Sequence, residues 1–563
     1  MILSISPRLL KTYKLHAFDF YALVIIVVAS GFRIALNTLM WLPMNSDEGT
    51  MVLMAMHIEE HGDHPIFFWG QNYLGPIEAY VNAVLFRLFG ASVWSARLGD
   101  ILFFAGFLTC MYVLTSRLYS KSFALIMLAL LGTGTEFVVT FQTTGSGYAA
   151  LPFLCVFSFL IAYKIASDRF MRPFPRAILY LLWGVISGLA LWSHLVTAPY
   201  LLVSGLLLVV LCWRQVLKWG MWCMLLGLII GVWPLIFYNL HAAPGQNSLS
   251  VFLSMSQMGA QQQYTFNDQV VSALFVVLPA TLGLFPQYYI DHLPFVSSTH
   301  SQASMVLQQI YGIGYVLSFL CALLLAFVSI GRILRNAERT SVQFIQQVAR
   351  VFLLLGTALT LIIYAHNPAS IYSGILGLRY ILCTLVGLPA VLWPLWTNTP
   401  WRTTMPSAVK IVERAVRMSI VFVVLLVSLG ATLSLPGLAP QAQAQQKHTI
   451  QLVTQLEQLH ITRFYTDYWI CTPLIVFSHE HLICGDTWVK HGTLIHGYDR
   501  YTPYRDTVMA SGNPAFVYRI GMSQLTVLET WLKTSGTPYR RVVVGQYLIY
   551  QPAHPVPGLQ LYR

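Results

Sequence analysis

Few residues in this chain carry charge. Lys, Arg, Asp and Glu make up 10% of its 563 residues, whereas 56% are hydrophobic and 15 are tryptophan. With a mean hydropathy of +0.64, this excludes a soluble globule and reads as a polytopic α-helical membrane protein. A basic stripe is missing as well. The net charge of +12 comes from cations scattered between apolar runs, which speaks against nucleic acid as a partner and for a topological role. No small-residue cleavage site follows the first apolar run, so residues 19–42 are expected to stay as a transmembrane helix and signal anchor. Residues 239–304 contain no Lys or Arg at all. Of eight cysteines, all but Cys471 and Cys484 fall in apolar runs, where packing is their simplest use.

What is present is a series of about eleven apolar runs of roughly 17 to 25 residues, each long enough to cross a bilayer. They lie near 19–42, 93–116, 122–142, 148–166, 177–195, 197–213, 219–238, 306–331, 351–366, 375–396 and 418–436. The stretch 269–289 is also apolar. Counting it as a crossing would reverse the charge pattern of everything after it, so it is expected to be re-entrant or interfacial. With a cytoplasmic N-terminus, the basic clusters at Arg8, Arg117, Arg172, Arg214, Arg332 and Arg414 all face inward. Before residue 440 only Arg33, Arg87, Arg97 and Arg379 lie in spans or on the outer side. The positive-inside rule therefore predicts a multi-pass membrane protein with its N-terminus in the cytoplasm.

The tail differs in kind. After LSLPGLAPQAQAQQKH, read as a Pro/Ala/Gln linker, residues 448–563 lose the long apolar runs. Strand-like segments (ITRFYTDYW, PLIVFS, AFVYRI, RVVVGQYLIY) alternate with helical patterns (TIQLVTQLEQL, SQLTVLETWLK). The expected organisation is a membrane module over 1–439, with outer loops 43–92 and 239–304, followed by a small extracytoplasmic α/β domain over 440–563. Cys471 and Cys484 face an oxidising compartment in this topology; a disulfide and two free thiols are both open. His479 and His481 of SHEH are read as neighbours on one strand face, without partner acids.

Chemistry concentrates in LPMNSDEGTMVLMAMHIEEHGDHP, residues 42–65. Asn45 with Glu48, followed by Met51, Met54, Ala55 and Ile58, predicts a capped amphipathic helix along the outer interface. Acids in a first helical turn are favoured by the dipole alone. Here, however, Asp47 and Glu48 sit beside a span, precede a loop dense in aromatic and amide side chains, and meet no Lys or Arg before Arg87. Unneutralised carboxylates near lipid point to function.

This arrangement, continued by GQNYLGPIEAYVNAVLFRLFGASVWSARLGD, resembles the bacterial dolichyl-phosphate-mannose protein mannosyltransferase-like, aminoarabinose-transferase-like branch of the GT-C glycosyltransferases. FYTDYWICTPLIVFSHEHLICGD followed by RYTPY is similar to the outer C-terminal domain of some bacterial members. The resemblance implies a GT-C-type fold in the cell membrane. It also implies transfer of a hexosyl or pentosyl group from a polyprenyl-phosphate-linked donor to a protein, lipid or glycan acceptor. Asp47 would be general base or acceptor-orienting acid, with Glu48 as supporting acid or metal ligand. Arg379, followed by Tyr380, matches the Arg-Tyr of many relatives and suits a phosphate. Arg97 and His194 are further phosphate candidates, and Gln71, Asn72, Tyr73 and Glu78 are candidates for sugar hydroxyls. Some relatives carry a second acid between the third and fourth spans. Here that loop reads QTTGSGYA, with Glu136 one to two turns earlier, so whether a divalent cation takes part is open.

Two rival readings come from other classes. HIEEH, His57 to His61, fits the H-x-x-E-H pattern of zinc peptidases, with Glu60 as base but no third ligand; for any metal, Asp47, Glu48, His57 and His61 are the candidates. A transporter or flippase would explain the spans, yet midspan ionisable residues are sparse and no paired repeat is visible.

Overall fold

The computed structural model describes residues 17–168, 170–251, 254, 264–284, 302–335, 341–397, 406–556 and 561. Arg8 and parts of the 239–304 loop, including 285–289 of the apolar stretch, lie outside them. The membrane part begins with α1 (Ala17–Thr38), α2 (Ser46–Glu60), α3 (Ile77–Phe89), α4 (Val93–Leu118), α5 (Lys121–Gly132) and α6 (Glu136–Thr143). It continues with α7 (Ala150–Ser167), α8 (Pro173–Ser193), α9 (Ala198–Gln215), α10 (Met221–His241), α11 (Phe266–Ser272) and α12 (Gln302–Arg335). α13 (Val342–Ala365), α14 (Leu388–Trp396) and α15 (Ser407–Ser434) complete it.

Among the described residues, eight helices are long and apolar enough to cross a membrane. The number is ten if α5 with α6, bent by 89°, and Gly374–Val386 with α14, bent by 61°, each count as one span. One of the eight, Leu195–His241, has 47 residues, about 70 Å of helix and far more than one crossing needs. It doubles back. Trp183 of α8 bonds Ser204 of α9, and Tyr180 bonds Gln215, so those helices are antiparallel. α10 instead runs parallel to α8. A Cβ on Gly184 would meet the Met224 carbonyl at 2.3 Å, and one on Gly188 the Leu228 carbonyl at 2.5 Å. Gly227 and Gly231 approach α8 in the same way, so two small-x-x-x-small stripes let the backbones touch. Counting this hairpin as two crossings gives the eleven expected. The 89° bend is satisfied by Arg33 of α1, which donates to the Gly132 carbonyl at 2.9 Å and to Gln142 at 2.8 Å. The apolar helix Phe266–Thr281 is too short to cross.

α15 continues through Leu435–Leu438 into α16 (Ala439–Gln458), and the whole Ser407–Gln458 rod has 52 residues. The stretch read as a linker is thus helical. Ala and Gln favour helix, and Pro436 and Pro440 occupy first-turn positions that need no N–H.

The C-terminal domain contains β1 (Arg463–Thr466), α17 (Tyr468–Phe477), β2 (Ile483–Lys490), β3 (Thr493–His496) and α18 (Thr502–Ala510). β4 (Ala515–Arg519), α19 (Ser523–Ser535), β5 (Tyr539–Val544) and β6 (Tyr547–Pro552) follow. Its six-stranded sheet has the order β3-β2-β1-β4-β6-β5. β1 is parallel to β2 and β4, and the other pairs are antiparallel. PLIVFS, expected as a strand, lies in α17: the Asp467 side chain caps that helix by accepting from Trp469 N at 2.9 Å, and both helix flanks are buried. SHEH is a turn, not a strand, with His479 and Glu480 at φ 47° and 62°. Cys471 and Cys484 form a disulfide joining α17 to β2.

α2 does not lie along an interface as its spacing suggested. Met51, Met54 and Ala55 are fully buried, in one apolar core that runs from α2 and α3 through α17 into the sheet. The C-terminal domain therefore clamps α2 from the side opposite the membrane helices, and this places the acidic pair between the two.

Candidate active site

α2 opens on Asn45, whose side chain accepts from Glu48 N at 2.9 Å. Consecutive residues on a helix diverge by about 100°, so the two acids meet different partners. Glu48 is buried and takes a bidentate pair from Arg97, Nε at 2.6 Å and Nη2 at 2.9 Å. The Arg97 Nη2 also donates to the Leu42 carbonyl at 3.1 Å. This corrects the reading of an unneutralised pair: the neutralising cation is 49 residues away in sequence and one helix away in space. Glu48 and Arg97 hold each other, and neither is free to meet a phosphate or a metal.

Asp47 turns the other way, toward the C-terminal domain. Its Oδ1 accepts from Tyr468 Oη at 2.7 Å and from Arg500 Nη2 at 2.7 Å, and Arg500 Nε donates to the same Tyr468 oxygen at 2.9 Å. The guanidinium stands 4.7 Å from the Tyr498 ring and 5.0 Å from Phe68. Tyr498 in turn donates to the Gly70 carbonyl. Arg500 Nη1 is buried without a hydrogen-bond partner among the described residues. Neither Arg500 nor Tyr468 was a sequence candidate, although both lie in the segments FYTDYW and RYTPY that carry the resemblance.

A cavity of about 170 Å³ is lined by Tyr73, Tyr148, His194, Tyr364, Tyr372 and Tyr380, and the charge of Asp47 reaches Tyr148 in its wall. Ile363, 58% exposed, also lines it, so the cavity reaches the apolar flank of the bundle. Arg379 borders it. Its Nη2 donates to Tyr380 Oη at 3.1 Å, its guanidinium lies 5.6 Å from the Tyr148 ring, and its Nε has no partner among the described residues. Arg379 feels the charge of Asp47, and Tyr73 feels both Arg379 and Arg500. Asp47, Tyr73, Arg379 and Tyr380 are thus brought together, joined by Tyr148, which the sequence reading missed. His194 lines the same space, although its Nδ1 is used to accept from Val196 N at 3.1 Å.

The remaining candidates fall elsewhere. Asn72 donates to Tyr238 at 2.7 Å. Gln71 contributes backbone bonds to its own loop. Glu78, expected to meet sugar hydroxyls, is buried and accepts from Gly147 N and Ala149 N at 2.8 Å and Ala150 N at 3.3 Å, clasping the start of α7. Burial outweighs these bonds and pushes its pKa up to about 7.

The HIEEH segment does not form a zinc site. His57 is buried, with Nδ1 3.1 Å from Asp63 and Nε2 3.0 Å from Glu480 of the C-terminal domain, and Tyr504 donates to that Glu480 oxygen at 2.6 Å. The His61 ring packs edge-on against it. Among the described residues, no three His, Cys, Asp or Glu converge as a metal site.

His57 instead latches the domain onto α2. Burial lowers its pKa, but the Glu480 and Asp63 carboxylates outweigh this and hold it above 6.5; Glu480, raised by burial, is held below 4.5 by His57 and Tyr504. The stabilisation from His57 is complete below 6.5 and is lost as pH rises through its raised pKa. That from Glu480 is present above 4.5 and is lost only as pH falls through its lowered value. Hydrogen exchange in residues 474–484, corrected for intrinsic rates, is expected to be faster at about pH 9 than at about pH 6. The difference should vanish in His57→Gln; a pH-independent wild type would show that the pair does not hold the domain.

The whole chain is similar to solved structures. ArnT from Cupriavidus metallidurans in the apo state matches with a TM-score of 0.51 at 12% identity, covering 95% of this chain and 98% of that one. ArnT bound to undecaprenyl phosphate matches at 0.48 and 14% identity, over 95% and 97% of the two chains. The Archaeoglobus fulgidus oligosaccharyltransferase in the apo form matches at 0.49 and 12%, over 96% of this chain and 75% of that one. No protein-family model matches the chain, and no curated protein does. At this identity the likeness to apo ArnT establishes the fold alone, a bundle of membrane helices followed by a C-terminal α/β domain.

Proposed function

We infer that the chain is a membrane glycosyltransferase that moves a sugar from a polyprenyl-phosphate-linked donor to an acceptor hydroxyl. The observation that carries this reading is Asp47, held by Arg500 and Tyr468 of the α/β domain, with its charge reaching Arg379 and Tyr148 at a cavity that opens on the apolar flank of the bundle. The N-terminus is cytoplasmic and the site faces the extracytoplasmic side, where the positive-inside rule puts it. α4 separates the two sides: Arg117 lies at its far end, about 39 Å of helix from its start.

The chemistry follows from the parts. An acceptor oxygen attacks the anomeric carbon, its proton passes to the Asp47 carboxylate, and the bond from that carbon to the phosphate oxygen breaks. Negative charge grows on the leaving lipid phosphate, where the unpartnered Nε of Arg379 and the Tyr380 hydroxyl can donate to it. Arg500 and Tyr468 aim the carboxylate. Glu48 is engaged by Arg97, and no step is assigned to a metal.

Purified protein with a panel of radiolabelled polyprenyl-phosphate sugars tests this. Wild type is expected to release sugar from at least one donor, and Arg379→Lys to lower donor kcat/KM at least about tenfold, because an ammonium does not replace a planar fork. No release from any donor would sink the transferase and bring transport forward.

A further inference from the structure

The C-terminal sheet changes winding direction at β1. The chain leaves β1 through α17 to reach β2 on one flank, and returns through α18 to β4 on the other. Right-handed crossovers put those two helices on opposite faces. Open α/β sheets take ligands outside the carboxyl ends of the strands at such a switch, here β1 and β4, on the side walled by α17 and α16. A cavity of about 270 Å³ occupies this place.

Its walls suit one chemistry. Asp467 directly follows β1, and Arg519 ends β4. Asp467 is fixed by Trp469 N at 2.9 Å and Gln524 at 3.2 Å. The Arg519 side chain makes no ion pair or hydrogen bond among the described residues, so its donors are free. Trp469, in the first turn of α17, leaves its indole 61% exposed on the wall. Gln446 and Thr449 of α16 and Gln546 of the β5–β6 turn add polar groups, and Met44, Ile470, Leu474 and Phe477 make the rest of the wall largely apolar. A flat aromatic face beside amides, a hydroxyl and a guanidinium matches a sugar ring, whose C–H face stacks on indole while its hydroxyls bond the polar groups. The cavity is slightly smaller than sites for drug-sized ligands, and a sugar ring is correspondingly small. An interfacial lipid anchor would need the indole but not the amides around it.

We propose that this crevice is a carbohydrate-binding site, distinct from the cavity bordered by Arg379, and that it holds the glycan portion of the acceptor. The acceptor assignment rests on the transferase reading; carbohydrate binding does not. The two sites share the first turn of α17, since Tyr468 bonds Asp47 and Trp469 lines the crevice.

The test uses the full chain in detergent with three probe sets: neutral hexose oligomers, N-acetylhexosamine oligomers and uronic-acid oligomers, read by saturation-transfer NMR. Wild type is expected to bind at least one set. Trp469→Ala and Arg519→Ala should each weaken that binding at least tenfold, Trp469→Phe should restore most of it, and the KM for a matching acceptor should rise in parallel. Trp469 and Arg519 are both exposed, and equal melting temperatures would exclude misfolding. No binding of any set by wild type, or undiminished binding by both alanine variants, overturns the proposal. Saccharide binding lost in the variants, with no donor ever turned over, would fail the transferase and leave this site standing.

Discussion

Asparagine in place of Asp47 is expected to lower the rate of sugar transfer at least about a hundredfold, the usual contribution of a positioned general base. The substitution keeps the shape and an acceptor oxygen for Tyr468 and Arg500, and the Asp47 side chain is 26% exposed, so the melting temperature should barely move. What is lost is the capacity to take a proton. Tyr468→Phe separates aiming from chemistry: it leaves the Asp47 contact with Arg500 in place, and about a tenfold loss is expected, as for other groups that orient a reacting side chain. Transfer rates with donor and acceptor saturating, alongside thermal melts, check both. Equal turnover by wild type and Asp47→Asn would reduce Asp47 to a first-turn acid favoured by the helix dipole.

The largest effect on stability is expected at Arg97. Its replacement by Met fills the same space but strands the Glu48 carboxylate, 1% exposed, with no counter-charge. Asp100 is buried nearby, and both its oxygens lack hydrogen-bond partners among the described residues. Breaking such a buried pair from one side costs about 3–5 kcal/mol, whereas removing both charges is often neutral. Arg97→Met should therefore unfold far more readily in denaturant than wild type, and Glu48→Gln with Arg97→Met should recover most of the loss. A single variant as stable as wild type would mean that Glu48 is protonated in place and that Arg97 does not support it.

How much of this was legible in the sequence depends on how far each feature reaches along the chain. Eleven apolar runs, the positive-inside pattern and the Asn45 cap are local sums or short spacings, and the helical hairpin at Val216–Gly220 falls where two runs meet. Misreadings arose where a local pattern fits two environments. Met51, Met54 and Ala55 look alike on a membrane surface and in a core; the C-terminal domain, hundreds of residues later, buries them. The β-branched run of α17 reads as a strand, yet a helix buried on both flanks also needs continuous apolarity. HIEEH has zinc-ligand spacing, but Glu480 and Asp63 occupy both nitrogens of His57.

Membrane class, the series of apolar runs, a second domain and the candidacy of Asp47 and Arg379 were readable along the chain. Each follows from transfer free energies and charges that act residue by residue. Which partner each acid meets came from packing between distant segments. Glu48 is neutralised by Arg97 across one helix packing, and Asp47 is presented to Arg500, Tyr468 and the cavity by contacts spanning 453 and 421 residues. Two adjacent carboxylates are chemically alike in sequence. They become different when a helix turns them about 100° apart and the fold buries one against Arg97 of the bundle and pairs the other, half-buried, with Arg500 of the C-terminal domain.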